Sequence, residues 1–379
     1  MSEKVRIFLA SNVFSPSEIG SNDKVSNKLR EKIGDLWTEL NIISNLKVHD
    51  GRFPSEHQLK KEIDEFKPDM LGCHLSHEVK KELLENSSIF AVATSTMGYN
   101  HIGRVSGDGI LITHTPGVLF ETVTDFTISI IMANLRNLID LHQFVWDGNW
   151  TPSEKWDLDQ SLCSVISNKL LGIVGLGQIG QEVVRRLSHW GVNIMYTDIS
   201  QNLEMERAYP NLKYSSSFEE IFTNCDIVSI HIPLNDRTEG IINRDLLKLM
   251  KKGALLVNTA RGPIINFHDL LELLEKKEIS INLAFDVFGP TEPIEPEILE
   301  RFKKIKKEQK NLSFLFVPHN ASADAETRAK MNIMFLQDII SIIRSKSIKD
   351  LGKMHIIPEQ KRNLEEIDLR IKKYWEREV

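Results

Sequence analysis

Six residues, Gly175-Leu176-Gly177-Gln178-Ile179-Gly180, carry three glycines in the spacing GxGxxG. The apolar run Leu170-Leu171-Gly172-Ile173-Val174 stands directly before them, and the helical stretch Gln181-Glu182-Val183-Val184-Arg185-Arg186-Leu187 directly after. The spacing alone is weak evidence in a chain with 20 glycines. Between a strand and a helix, however, it predicts a tight turn whose backbone N–H groups approach a pyrophosphate, with the helix N-terminus favouring the negative charge. Asp198 ends the next apolar run, where a carboxylate can accept a hydrogen bond from a ribose 2′-hydroxyl. Ile199-Ser200-Gln201-Asn202 follow it and offer no Arg or Lys to a 2′-phosphate, so NAD is expected rather than NADP. Further along, Arg261 precedes Gly262 just after an apolar run. At the carboxyl end of a sheet strand such a pair points into the ligand crevice of an α/β fold.

The elements that must position these residues come in two alternating series. Short apolar runs at 5–9, 70–73, 90–93 and 110–112 read as strands, separated by amphipathic helical stretches. Such alternation implies a parallel sheet covered on both faces. Thr115-Pro116-Gly117 breaks the pattern, and a long apolar helix is expected over residues 120–141. Residues 144–167 mix Trp146, Trp150 and Trp156 with Asp, Gly, Asn and Pro, which suits an irregular exposed arm that covers a partner surface. A second series of strands is expected at 170–174, 193–197, 226–230, 254–258, 281–286 and 314–317. A helix follows over 325–345, and residues 359–379 are dense in charge of both signs.

Composition bounds what this machinery serves. The chain has 379 residues, enough for two domains, each able to bury a full core. It is 41% hydrophobic and 26% charged, which is the balance of a globular protein. A formal net charge of −6 argues against a role built on nucleic-acid phosphates. Cys73, Cys163 and Cys225 lie far apart and imply neither a disulfide framework nor a metal site, so a reducing, cytoplasmic compartment is expected. The N-terminal residues lack a secretory cleavage pattern, and the most apolar segment, 126–135, is too short to span a bilayer, so no membrane role is expected.

Taken in order with the glycine turn, Ile232-Pro233-Leu234, Val257-Asn258-Thr259-Ala260-Arg261-Gly262, Asp286-Val287-Phe288 and Pro318-His319 resemble the D-isomer-specific 2-hydroxyacid dehydrogenase family. The resemblance spans residues 90–345 and is strongest between 170 and 320. It implies an α/β fold in which a Rossmann NAD-binding domain, residues 118–319, is inserted into a flavodoxin-like α/β substrate domain. That substrate domain would comprise residues 1–117 and a return over 320–350, leaving 351–379 as a charged C-terminal extension.

The resemblance also implies roles. Arg261 would hold the carboxylate of a small 2-oxo or 2-hydroxy acid and polarise its 2-oxo group, a task suited to a forked guanidinium that stays charged. His319 would be the general acid and base. With 12 histidines in the chain, it is singled out by Pro318 and the apolar run before it. Glu292 would orient His319 and favour its protonated form. Glu292 stands slightly further from Asp286-Val287-Phe288 than in the family, so Glu295 or Glu297 competes for that role. The cofactor-binding set would be Gly175, Gly177, Gln178, Ile179, Gly180, Asp198, Pro233, Thr238, Thr259, Ala260, Arg261 and Asp286. Ser95-Thr96-Met97-Gly98-Tyr99-Asn100 resembles the loop whose backbone N–H groups bind the substrate carboxylate, with Met97 and Gly98 as candidates. This loop is closer to glyoxylate and hydroxypyruvate reductases than to D-lactate enzymes, and Arg104 and His101 are the cationic side chains near it.

The residues 120–141 and the tryptophan arm resemble the family's dimer-forming elements, so a homodimer is expected. No metal is required. A second reading, an NAD(H)-sensing corepressor-like binding protein on the same fold, is compatible with the same residues, because fold alone does not settle function.

Overall fold

The computed structural model describes residues 4–85, 87–103, 109–153 and 158–377, and Arg104 and Trp156 lie outside these. Five strands form the first sheet: β1 (Val5–Leu9), β2 (Ser44–Val48), β3 (Met70–Cys73), β4 (Ala91–Thr94) and β5 (Leu111–Thr113). They pair in parallel in the order β2-β1-β3-β4-β5, the flavodoxin-like order. Every residue of β3 and β4 is buried, which is why both read as unbroken apolar runs. The sequence pattern does not announce β2. It lies at the sheet edge, follows the helix Asn27–Ile43 without a break, and carries Asn45 and Lys47 among its five residues.

Seven further strands build the second sheet: β6 (Leu170–Val174), β7 (Asn193–Thr197), β8 (Leu212–Tyr214), β9 (Ile227–Ile230), β10 (Leu255–Asn258), β11 (Asn282–Phe285) and β12 (Phe314–Phe316). All pairs are parallel, in the order β12-β11-β10-β9-β6-β7-β8. The order reverses between β6 and β9, the switch point at which doubly wound sheets open a crevice beyond the strands' carboxyl ends. β8 is the second edge strand that periodicity misses.

The chain divides into two compact units, Met1–Leu119 with Ala323–Val379, and Phe120–Ser322. In the first unit, the returning helix Ala325–Arg344 brings Phe335 against Phe14, with ring centroids 4.5 Å apart. A side chain at Gly72 of β3 would strike the Phe335 ring, so the helix seats directly on the sheet there. Burying a phenylalanine in this way contributes roughly 1.5–3 kcal/mol.

The charged residues beyond 350 do not form a separate extension. Leu351, Met354, Ile356, Leu364, Leu369 and Ile371 join the same core. The Arg370 guanidinium donates to the carbonyls of Leu84, Ser87 and Ile89 at 3.1–3.3 Å. Apart from Arg370, most of the charge in this tail lies on exposed positions between buried anchors.

In the second unit, the helix expected over 120–141 is two helices, Phe120–Leu135 and Leu138–Trp146. Asn137 separates them with a left-handed φ of 54°, a conformation asparagine tolerates better than most residues. The arm therefore begins as a helix, and none of the residues of Leu138–Trp146 is buried within this chain. Among the described residues, no helix is long and apolar enough to cross a membrane.

Candidate active site

At the carboxyl end of β6 the glycines do separate jobs. Gly175 has φ +98°, a conformation L side chains rarely adopt, and a side chain on Gly180 would run into the Gly175 carbonyl. The space beside Gly177 is open. Gly177 caps the helix Gln178–Ser188 without any side-chain bond, so the first-turn N–H groups, which have no intrahelical partner, remain available to an anion. Asp198, at the end of β7, sits against the turn: its carboxylate accepts the N–H groups of Leu176 and Ile199, each at 2.6 Å. The turn and its carboxylate thus fit the pyrophosphate and ribose of a dinucleotide. Across the switch point, His231 lies beneath Gly175, and burial pushes its pKa down to about 4, so the ring is neutral. Thr238 donates to the Pro233 carbonyl at 2.6 Å and accepts the Asn235 N–H, which closes the next loop on itself.

Arg261, Glu292 and His319 come from the ends of β10, β11 and β12. The His319 Nδ1 lies 2.6 Å from Glu292 Oε2, and the other Glu292 oxygen accepts the Phe288 N–H at 2.8 Å. Glu295 instead accepts the Thr291 hydroxyl, so the carboxylate that meets His319 is Glu292. Burial alone would raise the Glu292 pKa, but the bond and charge of His319, the Phe288 N–H and the Arg261 charge together bring it below the usual value. Burial lowers the Arg261 pKa, opposed by Glu292, yet a guanidinium remains charged. Arg261 donates to the Ala260 carbonyl at 2.7 Å and forms no ion pair among the described residues. Gly262 explains how the Arg261 loop approaches the Glu292 loop, since any side chain there would collide with the Phe288 carbonyl.

Two buried side chains hold this group. Asn258, fully buried, donates to the Arg261 carbonyl at 2.9 Å and accepts the Ala260 N–H at 3.0 Å. Asp286, 1% exposed, accepts the N–H groups of Asn320 and Ala321 at 2.6 and 3.0 Å. It thereby fixes the turn in which His319 takes a φ of 48°, a strained conformation of the sort that clusters at functional sites. Sequence reading places Asp286 only at the cofactor and gives Asn258 no role. A polar residue closing an otherwise apolar buried strand was the available signal in both. Thr259 shares a 2.9 Å hydroxyl contact with Thr127, which ties the same loop to the helix Phe120–Leu135.

In the first unit, the loop after β4 has its carbonyls engaged one by one. Thr96 O accepts the Thr115 N–H, Met97 O accepts His114 Nδ1–H at 2.8 Å, and Gly98 O accepts the Thr96 hydroxyl at 2.6 Å. The N–H groups of Met97 and Gly98 meet no protein acceptor among the described residues. Backbone arranged in this way presents donors to an anion. His101 hydrogen-bonds Thr94 at 3.0 Å and so anchors the base of the loop.

Two doubly wound units, one with a dinucleotide turn and an arginine, glutamate and histidine at its strand ends, define a nucleotide-dependent oxidoreductase of the two-domain type. The sequence signature of the D-isomer specific 2-hydroxyacid dehydrogenase NAD binding domain matches residues 128–321. The chain is 31% identical to a glyoxylate reductase of Thermofilum pendens over 328 residues, 82% of this chain and 92% of that one. It is 33% identical to a glyoxylate reductase of Aeropyrum pernix over 294 residues, 76% and 84% of the two chains. A crystal structure of a glyoxylate reductase from Paecilomyes thermophila superposes with a TM-score of 0.72 at 23% identity, covering 94% of this chain and 99% of the other. The protein belongs to the D-isomer specific 2-hydroxyacid dehydrogenase family. It is an NAD-dependent oxidoreductase acting on 2-hydroxy acids.

Proposed function

We propose that the protein reduces a small 2-oxo acid of the glyoxylate or hydroxypyruvate type to its D-2-hydroxy acid, with Arg261, Glu292 and His319 as the catalytic residues. The observation that carries this reading is the 2.6 Å contact of His319 with Glu292 beside an arginine that has no ion-pair partner among the described residues. NAD(H), when bound, supplies or takes the hydride. Arg261 takes the acid's carboxylate and draws electron density from the 2-oxo oxygen. Glu292 accepts Nδ1–H, which leaves His319 Nε2 to donate a proton to the developing alkoxide and to recover it in the reverse direction. The N–H groups of Met97 and Gly98 are donors for the carboxylate, and the cofactor contacts include Thr259, Ala260 and Asp286. The curated relatives are named as glyoxylate reductases, which supports a small substrate and favours turnover over a cofactor-sensing role. The test is NADH oxidation, followed by absorbance, against a panel of 2-oxo acids. Glyoxylate and hydroxypyruvate should turn over best, and NADH binding with no turnover on any member would overturn the reading.

The protein is further proposed to act as a homodimer. Leu138, Ile139, Val145 and Trp146 on the helix Leu138–Trp146, with Trp150 and Leu158 beyond it, are all at least half exposed, apolar side chains that a second copy of the chain would cover. Light scattering should return twice the 43.4 kDa chain mass. A monomer would remove the proposal.

A further inference from the structure

The last part of the chain reaches the loop after β4. Residues 355–357 run along β5, the edge strand of the first sheet, and the short helix Pro358–Arg362 follows them. There the His355 carbonyl accepts the His114 N–H at 2.9 Å, the Ile357 N–H donates to Ile112 O at 3.1 Å, and Ile356 bridges Thr113. The Gln360 side chain extends the pairing, accepting from Ile112 N and donating to Ile110 O at 2.9 and 2.7 Å. An open strand edge is thus closed by the protein's own tail. The buried Asp338 carboxylate contacts His355 Nδ1 at 3.1 Å and secures the start of the segment. So registered, the tail puts Glu359 where its carboxylate accepts the Tyr99 hydroxyl at 2.6 Å, a charge-assisted bond. The Tyr99 ring stands edge-on to His114, with centroids 5.4 Å apart and planes at 89°, and His114 holds the Met97 carbonyl.

We propose that the C-terminal segment is a positioning element for the substrate loop: Glu359, through Tyr99 and His114, holds Met97 and Gly98 in the posture that presents their N–H groups to the substrate's carboxylate. Glu359 is exposed and adds nothing to the core, so covering β5 does not require it. Tyr99 spends its hydroxyl on a partner 260 residues away. A hydrogen bond that only stabilised the fold would leave substrate affinity alone. One that sets the loop changes KM for the acid and leaves the chemistry at His319 as it was. The inference rests on the reading of the Met97-Gly98 loop as a carboxylate site.

The experiment uses the full chain with Tyr99→Phe, Glu359→Ala, Glu359→Gln and the Tyr99→Phe/Glu359→Ala double variant, with glyoxylate and hydroxypyruvate as substrates. Tyr99→Phe and Glu359→Ala should each raise KM for the 2-oxo acid by roughly three- to tenfold, with kcat and NADH affinity retained. Glu359→Gln, which keeps an acceptor oxygen, should recover most of the loss, and the double variant should be no worse than either single one. Amide hydrogen exchange at residues 95–101 should quicken in the same variants, a readout independent of turnover. Unchanged KM and exchange in both single variants, or a fall in thermal stability alone, overturns the proposal. Gly98→Val separates the two levels. If it leaves KM unchanged, the carboxylate-site reading falls and the proposal with it. If it raises KM while Tyr99→Phe and Glu359→Ala do not, the positioning role alone is wrong.

Discussion

The strand ends of the nucleotide-binding unit and the loop after β4 use backbone and side chain in opposite ways. In the first, our reading aims side chains at the reaction, and the backbone is what must be held. Asn258 holds the main chain of Arg261, and Asp286 holds that of Asn320 and Ala321 beside His319. In the second, the backbone faces the ligand in our reading, and side chains do the holding: Thr96, His114 and, through Glu359, Tyr99. A functional side chain stands out in a sequence because its type is chemically eloquent. A functional N–H group does not, since nearly every residue has one, and only the absence of an internal acceptor reveals it.

The contrast predicts where substitutions should hurt. Replacing His319 with Ala should lower kcat by about 10²–10⁴-fold with NADH affinity retained in a fluorescence titration, because a proton-transfer group is lost and nothing at the glycine turn changes. Full turnover would remove His319 from the chemistry. Arg261→Gln should reduce kcat/KM for the 2-oxo acid by roughly 10²–10³-fold, the scale on which a transition-state charge donor acts. Equal losses for NADH would relocate Arg261 to the cofactor. Asn258→Ala leaves buried backbone groups unpaired and should cost about 1–3 kcal/mol in urea unfolding, with a loss of activity that follows Arg261 rather than adding to it. An additive loss would make Asn258 an independent contributor.

On the other side of the comparison, Thr96→Val should raise KM by only a few-fold, roughly the worth of one neutral hydrogen bond. A collapse of kcat instead would break the division of labour between the two regions. The smallest effect expected is pH-linked. The Glu292 pKa is lowered in the folded state, so its bond to His319 adds stability above the ordinary glutamate value of about 4.3 and loses it as pH falls through the lowered one. With side chains 31% and 25% exposed, the term is modest. The Tm difference between the wild-type protein and Glu292→Gln should therefore be present near neutrality and fade in acid. A difference that persisted undiminished below that lowered value would contradict the role of the Glu292 carboxylate.

Much of the architecture is legible as local pattern. The buried central strands of both sheets stand out because both of their faces are apolar, and the glycine turn because its spacing lies between a strand and a helix. The edge strands β2 and β8 are not legible, unlike the apolar edge strands β5 and β12, because Asn45, Lys47 and Lys213 interrupt their apolar pattern and their pairing comes from the sheet rather than their own sequence. The break at Asn137 is hidden for a related reason: one left-handed residue interrupts an apolar stretch without changing its periodicity. Asn258 and Asp286 sit inside readable motifs, yet their holding roles depend on which backbone groups lie opposite them.

What the sequence determined by itself is the chemistry that depends on short spacing: a turn that admits a pyrophosphate, Asp198 at the end of the next strand, and an arginine and a histidine just beyond strands. These follow from residue type and a few residues of context, because turn geometry and strand burial are local. Tertiary structure decided the partnerships. Glu292 rather than Glu295 meets His319 across 27 positions, and Glu359 meets Tyr99 across 260. Such contacts depend on the path of loops and on which strand edge a tail covers, and neither is written in any periodic pattern of the chain.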